Sequence, residues 1–573
     1  MNSCITFISF NLSLVILSLW TASTTQSRHT NRIFQHEVWS KANKSSTADP
    51  SIFFASYYGN HMVLQRAPKQ AIIWGYSPNI REVIKVKVEG QETVSGRVYK
   101  DSTYGVGIWK VTLPPVSQPG PFTITASSAT ETITLTDVLF GDVWICSGQS
   151  NMQFTVDKMF NGSAELADAV NYPHIRLFDV SLEYYPVETL DLLSINEGWV
   201  LPNKRTLADG TGVYFSAVCW LYGKYLYQEL GYPIGLVDTS YGGTPVEAWS
   251  SRDALAQCGI SSTEIVDSFM YIDESERYTP GYRNQLTPTQ LWNCMIHPLL
   301  NMTIYGAIWY QGENNAMPGA NTHKYNCTFP AMISDWRLKF NQGSLGQTDK
   351  LFPFGFVQLG PMNPNPPTSG FPEIRWHQTA DYGYVPNPKM EKTFMAVAMD
   401  LADFISPWWP VHFRDKTDVG KRLLVGGLRV AYNRDLLADG PRPMTITEGT
   451  NTLNLTYKQP LLYRNLDGFE ALCSVKSKLN GPPPPQPPYW TDAPVVSSLS
   501  TSIALSSTVC GEGQTILGLR YSWRESPCAF KTCTVYSAEN PLLPGPPFLV
   551  YREMTGVAGT VHVIDWNTPT VIH

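Results

Sequence analysis

Five apolar runs of five to eight residues recur through the middle of this chain: Val138 to Ile145, Ile234 to Asp238, Ile304 to Tyr310, Phe354 to Leu359 and Phe394 to Met399. A strand covered on both faces reads as such a continuous run, whereas a strand with one wet face alternates. Between the runs lie segments with helical spacing. The clearest is Phe215 to Leu230, where Phe215, Val218, Cys219, Leu221, Tyr222, Tyr225 and Leu226 recur at three and four. Strand and helix in turn predict an α/β fold, a parallel sheet flanked by helices on both faces. At 573 residues the chain exceeds what one core usually serves. The flanks have a different texture. Residues 52–136 alternate apolar and polar positions in short runs such as Ile84-Lys85-Val86-Lys87-Val88-Glu89, and beyond about residue 435 short β-like runs return among many prolines. The expected organisation is an N-terminal β-domain over 50–136, an α/β domain over 137–434 and a C-terminal β-rich domain over 435–573. The Pro-rich stretches Pro361 to Pro372 and Pro482 to Pro488 read as exposed loops, candidates for lids over a site.

The first apolar run ends in Trp144-Ile145-Cys146-Ser147-Gly148-Gln149-Ser150-Asn151-Met152-Gln153. A serine on a tight turn between a buried strand and a helix is presented as a nucleophile, with free N–H groups beside it to hold an oxyanion. Three distant segments carry the rest of an acyl-transfer site: Tyr241-Gly242-Gly243-Thr244-Pro245, Trp309-Tyr310-Gln311-Gly312-Glu313-Asn314-Asn315, and the stretch from Asp400 through His412 to Asp415. All follow the C-terminal ends of the apolar runs, where ligands bind in parallel sheets. Together they resemble the blocks of the SGNH hydrolases, and within these the sialate O-acetylesterase family. The resemblance extends to Asn60-His61-Met62-Val63-Leu64-Gln65, Trp376-His377-Gln378-Thr379-Ala380-Asp381 and Tyr521-Ser522-Trp523-Arg524, so it covers most of the chain from about residue 50.

That resemblance implies an SGNH-hydrolase-like parallel sheet and a serine esterase that removes O-acetyl groups, 9-O and possibly 4-O, from sialic acids through an acetyl-enzyme intermediate. It assigns Ser150 as nucleophile, His412 as base, and the Ser150 N–H, the Gly243 N–H and the Gln311 amide as oxyanion donors. His377, four residues before Asp381, is the rival base. The chain departs from the family at two places. Phe413 stands where proline commonly follows the histidine, and Trp409 stands where the orienting aspartate usually precedes it by three. Asp403 is then the favoured carboxylate, Asp400 and Asp415 are the others, and a dyad with a backbone carbonyl holding the ring is also open. Arg375 and Arg283 are candidates to meet a sialate carboxylate. The alternatives are an acetylesterase acting on another acetylated glycan, or an inactive glycan-binding glycoprotein using Trp74, Trp109, Trp408 and Trp409 as stacking platforms.

The N-terminus, with Leu12 to Trp20 followed by small polar residues, reads as a signal peptide over 1–23, and no later run is long enough to cross a bilayer. Five Asn-x-Ser/Thr acceptors, Asn43, Asn161, Asn301, Asn326 and Asn454, fit the same route, so the expected location is secreted or lysosomal. Of ten cysteines, Cys4 leaves with the signal. The remainder is odd, with Cys528 and Cys533 as expected partners and Cys146 as the expected free thiol. There is no Cys-x-x-Cys or His-Glu-x-x-His spacing, so no metal or other cofactor is expected. A net charge of −6 without a basic run gives no footprint for nucleic acid.

Overall fold

A computed structural model describes residues 52–208, 215–264, 266–268, 284–364, 367–475 and 488–551. The expected signal peptide, Asn43, Arg283 and most of the Pro482 to Pro488 loop lie outside the described residues. The runs of apolar residues form the expected sheet. Its strands are β1 (Thr132–Gly148), β2 (Ile175–Val180), β3 (Ile195–Val200), β4 (Ile234–Asp238), β5 (Gly306–Tyr310), β6 (Phe354–Gln358) and β7 (Thr393–Val397). They lie in the order β3-β2-β4-β1-β5-β6-β7, all neighbours parallel except β3, which runs antiparallel at the edge. Strand β1 therefore sits between the two halves of the sheet, where the order of strands reverses and a crevice opens at their C-terminal ends.

The strand that carries the candidate nucleophile is anchored unusually far back. The first half of β1 pairs antiparallel with Phe122–Ser127 of the N-terminal layer, and its second half pairs parallel with β4 and β5. The expected boundary at residue 137 thus falls inside one continuous strand. In the N-terminal layer the alternation becomes geometry, as Ile84, Val86 and Val88 point inward while Lys85 and Lys87 are exposed.

Five helices matter for the site: α1 (Ser150–Gln153), α2 (Ala217–Leu230), α3 (Tyr325–Gly343), α4 (Phe371–His377) and α5 (Lys416–Val430). Helix α2 begins where the Ser216 hydroxyl accepts from the Cys219 N–H and ends at Gly231 in the left-handed region, as its sequence predicts. Its Tyr222 meets Trp144 of β1 edge to face, with ring centroids 5.0 Å apart. A disulfide between Cys146 and Cys219 joins the same two elements. Cys146 is therefore not the free thiol. Cys258–Cys327, Cys473–Cys510 and the expected Cys528–Cys533 are also bonded, and among the described residues the buried Cys294 is free.

The C-terminal strands build a second core around Phe469, Tyr521 and Phe548, which also takes in Trp376 and Met399 from the α/β part. Polar bonds tie the two together: Arg375 donates to the carbonyls of Arg524 and Glu525, and the Tyr536 hydroxyl donates to Asp400. Among the described residues no helix is long and apolar enough to cross a membrane.

Candidate active site

Gly148 closes β1 at φ 139°, and a Cβ there would lie 2.1 Å from the Tyr310 carbonyl oxygen, so only glycine fits beside β5. The Gln149 N–H then donates to Tyr310 O at 2.9 Å and the Tyr241 N–H donates to Gly148 O at 2.9 Å. The turn is thereby held from both sides as it leaves the sheet. Ser150 opens α1, a helix of only four residues, so the presentation depends on this clamped turn rather than on a long helix behind it.

His412 arrives from the loop after β7. Its Nε2 lies 2.8 Å from Ser150 Oγ and its Nδ1 lies 2.7 Å from the Trp408 carbonyl oxygen. A carbonyl can only accept, so Nδ1 carries the proton and Nε2 is left to accept from the serine hydroxyl. Trp409, at φ 71°, makes the turn that brings the carbonyl under the ring, and the Ser406 hydroxyl donates to His412 O at 2.8 Å to fasten it. Burial, then the cations Lys416 and Lys158, push the imidazole pKa down to about 4 against the opposing bond to Trp408, so the ring is neutral near neutral pH.

None of the three expected carboxylates is placed as the orienting group. Asp403 is corrected: its Oδ2 accepts from the Arg414 backbone N–H and Nε, and its Oδ1 from Nη2, a fork that fixes the loop instead. Asp400 is fully buried and paired bidentately with Arg422. Asp415 caps α5 by accepting from the Asp418 N–H and pairs with Lys531. The rival base, His377, ends α4 and bonds Asp381, which lies beyond the helix, at 2.6 Å, while His412 holds the serine.

Gln311 is the second correction. It is fully buried, with Nε2 within 3.2 Å of Gln149 Oε1, Thr244 O and Asn315 Oδ1, and its Oε1 accepts from the Tyr325 hydroxyl of α3. An amide so committed links the turns and has no proton left for an oxyanion. Gly243 stays available for the N–H role that the resemblance gives it. At φ 70° it requires the glycine conformation, its carbonyl is fixed by Asn314 Nδ2 at 2.9 Å, and a Cβ on the adjoining Gly242 would lie 3.5 Å from Ser150 Cβ.

A cavity of about 560 Å³ opens over the serine and histidine. Trp408 and Trp409 form one wall, at 36% and 44% exposure, whereas Trp74 and Trp109 are fully buried and cannot act as platforms. Asp179 and Asp238, direct neighbours in the register of β2 and β4, also line the cavity. Burial holds both acids up, Asp238 to about 6, and the repulsion of Asp238 raises Asp179 further. Lys158 is the cation among the lining side chains, its Nζ 5.0 Å from the Trp408 ring centre. Arg375 is not available for a ligand, because it is fully buried and gives its protons to four carbonyls, those of Leu359, Gly360, Arg524 and Glu525.

Two family models match this chain: "carbohydrate esterase, sialic acid-specific acetylesterase" over residues 140–348, and "sialate O-acetylesterase C-terminal domain" over 442–552. The rat sialate O-acetylesterase is 44% identical over 88% of this chain and 95% of its own length. The human sialate O-acetylesterase is 42% identical over 87% and 92%. The chain belongs to the sialate O-acetylesterase family. A crystal structure of a carbohydrate acetylesterase from Xanthomonas citri superposes with a TM-score of 0.68 at 25% identity, covering 87% of this chain and 99% of that one.

Ser150 and His412, read from the family blocks, are brought into contact by the fold, whereas three residues beside them drew no role from the sequence. Asn151, Glu313 and Lys416 all stand buried near the serine; the first two lie inside the quoted blocks and Lys416 follows one directly, but nothing in their letters marks a part distinct from that of their neighbours. One signal was present. Lys416 opens α5, an end where the helix dipole disfavours a cation, so its placement there calls for another cause.

Proposed function

We propose that this protein is a serine esterase that removes O-acetyl groups, the 9-O-acetyl first among them, from sialic acids. The observation that carries the reading is the 2.8 Å contact between Ser150 Oγ and a His412 whose other nitrogen donates to a carbonyl. Ser150 Oγ attacks the acetyl carbonyl while its proton passes to Nε2. The oxyanion is taken by the Ser150 and Gly243 N–H groups, and His412 then returns the proton to the sugar hydroxyl as it leaves. Water, deprotonated by the same nitrogen, releases acetate from the acetyl-serine. Lys158 takes the role that the buried Arg375 cannot fill: it meets the sialate carboxylate, while Trp408 and Trp409 cover the sugar. The names of the mammalian relatives support the sugar class. The signal-like N-terminus and four disulfides among the described cysteines support a secreted or lysosomal location.

Acetate release from 9-O-acetyl sialic acid and from a neutral aryl acetate tests the reading. Ser150→Ala is expected to lower kcat on both by at least about 10⁴-fold while the protein stays folded. Lys158→Met is expected to raise KM about tenfold for the sialate, as for a lost charged hydrogen bond, and to leave the aryl acetate unchanged. Turnover of the aryl acetate alone by the wild type would keep the mechanism and move the substrate to another acetylated glycan. No turnover of either ester by folded protein would sink the esterase reading.

A further inference from the structure

Behind the serine lies a buried cation that the steps above do not use. Lys416 is fully buried, and its Nζ donates to Asn151 Oδ1 at 2.6 Å. Asn151 Nδ2 in turn donates to Glu313 Oε1 at 2.6 Å and to the Val411 carbonyl at 2.9 Å. Asn151 follows the nucleophile, Val411 precedes the histidine and Glu313 lies just beyond β5. One ammonium thus reaches, through one amide, the serine, β5 and histidine segments, three of the four that build the site. The aromatic surroundings repeat the pattern. Nζ lies 4.1 Å from the ring centre of Phe413, 4.7 Å from that of Phe154 and 5.4 Å from that of Tyr310. These rings stand after the histidine, after α1 and at the end of β5. A cation over three ring faces is held there electrostatically as well as by hydrogen bonds. The departure at Phe413 has its place here, since its ring forms the near wall of this cage.

We propose that Lys416, acting through Asn151 and Glu313, is the positioning group of this site, a buried cation that locks the Ser150 turn to the His412 loop where other hydrolases rely on a side-chain carboxylate. The inference rests on the serine-esterase reading. The contacts of Nζ, an amide oxygen and three ring faces, engage the charge as well as the length of the side chain. The charge acts in two ways: the ammonium gives Asn151 a fixed orientation, and its field disfavours a second cation on His412. The charged groups facing Lys416 are Glu313, Asp415 and Asp403, and the cations facing His412 are Lys416 and Lys158. Burial lowers the Lys416 pKa to about 7 against those three carboxylates. Activity is therefore expected to rise as His412 loses its proton near pH 4 and to fall as Lys416 loses its own near pH 7.

The test is the pH profile of kcat/KM on the neutral aryl acetate for wild type, Ser150→Ala and Lys416→Met, with thermal melting of each. In folded Lys416→Met, kcat is expected to fall about 10²-fold with KM little changed, as for a misplaced reacting group. Its acid limb is expected to move up by about 1 pH unit, because a neighbouring cation no longer holds the imidazole neutral. A folded variant that keeps the wild-type kcat and acid limb overturns the proposal. If Lys416→Met does not fold, Glu313→Gln decides the matter. It keeps the acceptor for Asn151 and removes a counter-charge, so Lys416 loses its proton sooner and the alkaline limb moves to lower pH. An unmoved alkaline limb overturns the proposal. Turnover that survives Ser150→Ala overturns the esterase reading and this inference together, whereas a dead Ser150→Ala beside an unshifted Lys416→Met overturns only the inference.

Discussion

The Trp408 carbonyl, not Asp403, is bonded to the His412 ring, and the difference has a measurable sign. An aspartate that holds a catalytic histidine costs about 10⁴-fold in kcat when made an amide, because the ring takes the wrong tautomer. Asp403 is instead bound to Arg414 by three hydrogen bonds. Asp403→Asn is therefore expected to lower kcat by less than about tenfold, far short of the loss of a triad member. Steady-state kinetics on an aryl acetate checks this, and a loss near 10⁴-fold would restore Asp403 to the catalytic set. Ser150 and His412 were legible because a hydroxyl and an imidazole are the side chains that the proposed chemistry uses. A backbone carbonyl belongs to every residue, so no letter in the sequence marks Trp408 as the partner. Gln311 misled for a related reason, since a buried amide that joins three turns spells the same as one aimed at a ligand.

Among the elements, the strands were the most legible. Doubly covered β4, β5, β6 and β7 are continuous apolar runs, and each lies within a residue or two of its expected span. What the runs could not convey was which strands become neighbours, and this decides the acid pair. Asp179 and Asp238 are far apart in sequence but adjacent across β2 and β4, both facing the cavity. With burial holding Asp238 near 6, the pair gains negative charge as pH rises through that value. Like charge then opposes a substrate carboxylate, so KM for a sialate is expected to rise above pH 6 while KM for a neutral aryl acetate stays flat. Asp238→Asn is expected to flatten the sialate curve. An equal rise for both esters would show that the acid pair does not govern binding.

At the scale of the whole molecule the β-rich flanks were visible in composition, but their attachment was not. Strand β1 passes without a break from the N-terminal layer to the nucleophile. On the other side, Arg375 has two of its four carbonyl partners in the C-terminal part, Asp400 accepts from Tyr536, and Lys531 pairs with Asp415 and Asp418 of the histidine segment. A chain ending at residue 435 takes two of four acceptors from Arg375, one donor from Asp400 and the Lys531 partner from Asp415 and Asp418, at about 1–3 kcal/mol for a buried charged group left short, against a total stability of about 5–15 kcal/mol. Such a chain is expected to show no cooperative melting transition, and a sharp transition with retained esterase activity would show that the C-terminal part is dispensable. The carbonyl beneath His412 also bears on where such a molecule can operate. A carboxylate in that position would itself take up a proton in a sufficiently acidic vesicle and turn from acceptor to donor, releasing the ring. A peptide oxygen undergoes no such change at any acidity a cell produces, so the orientation of the base is insulated from the medium and acid resistance is built into the main chain.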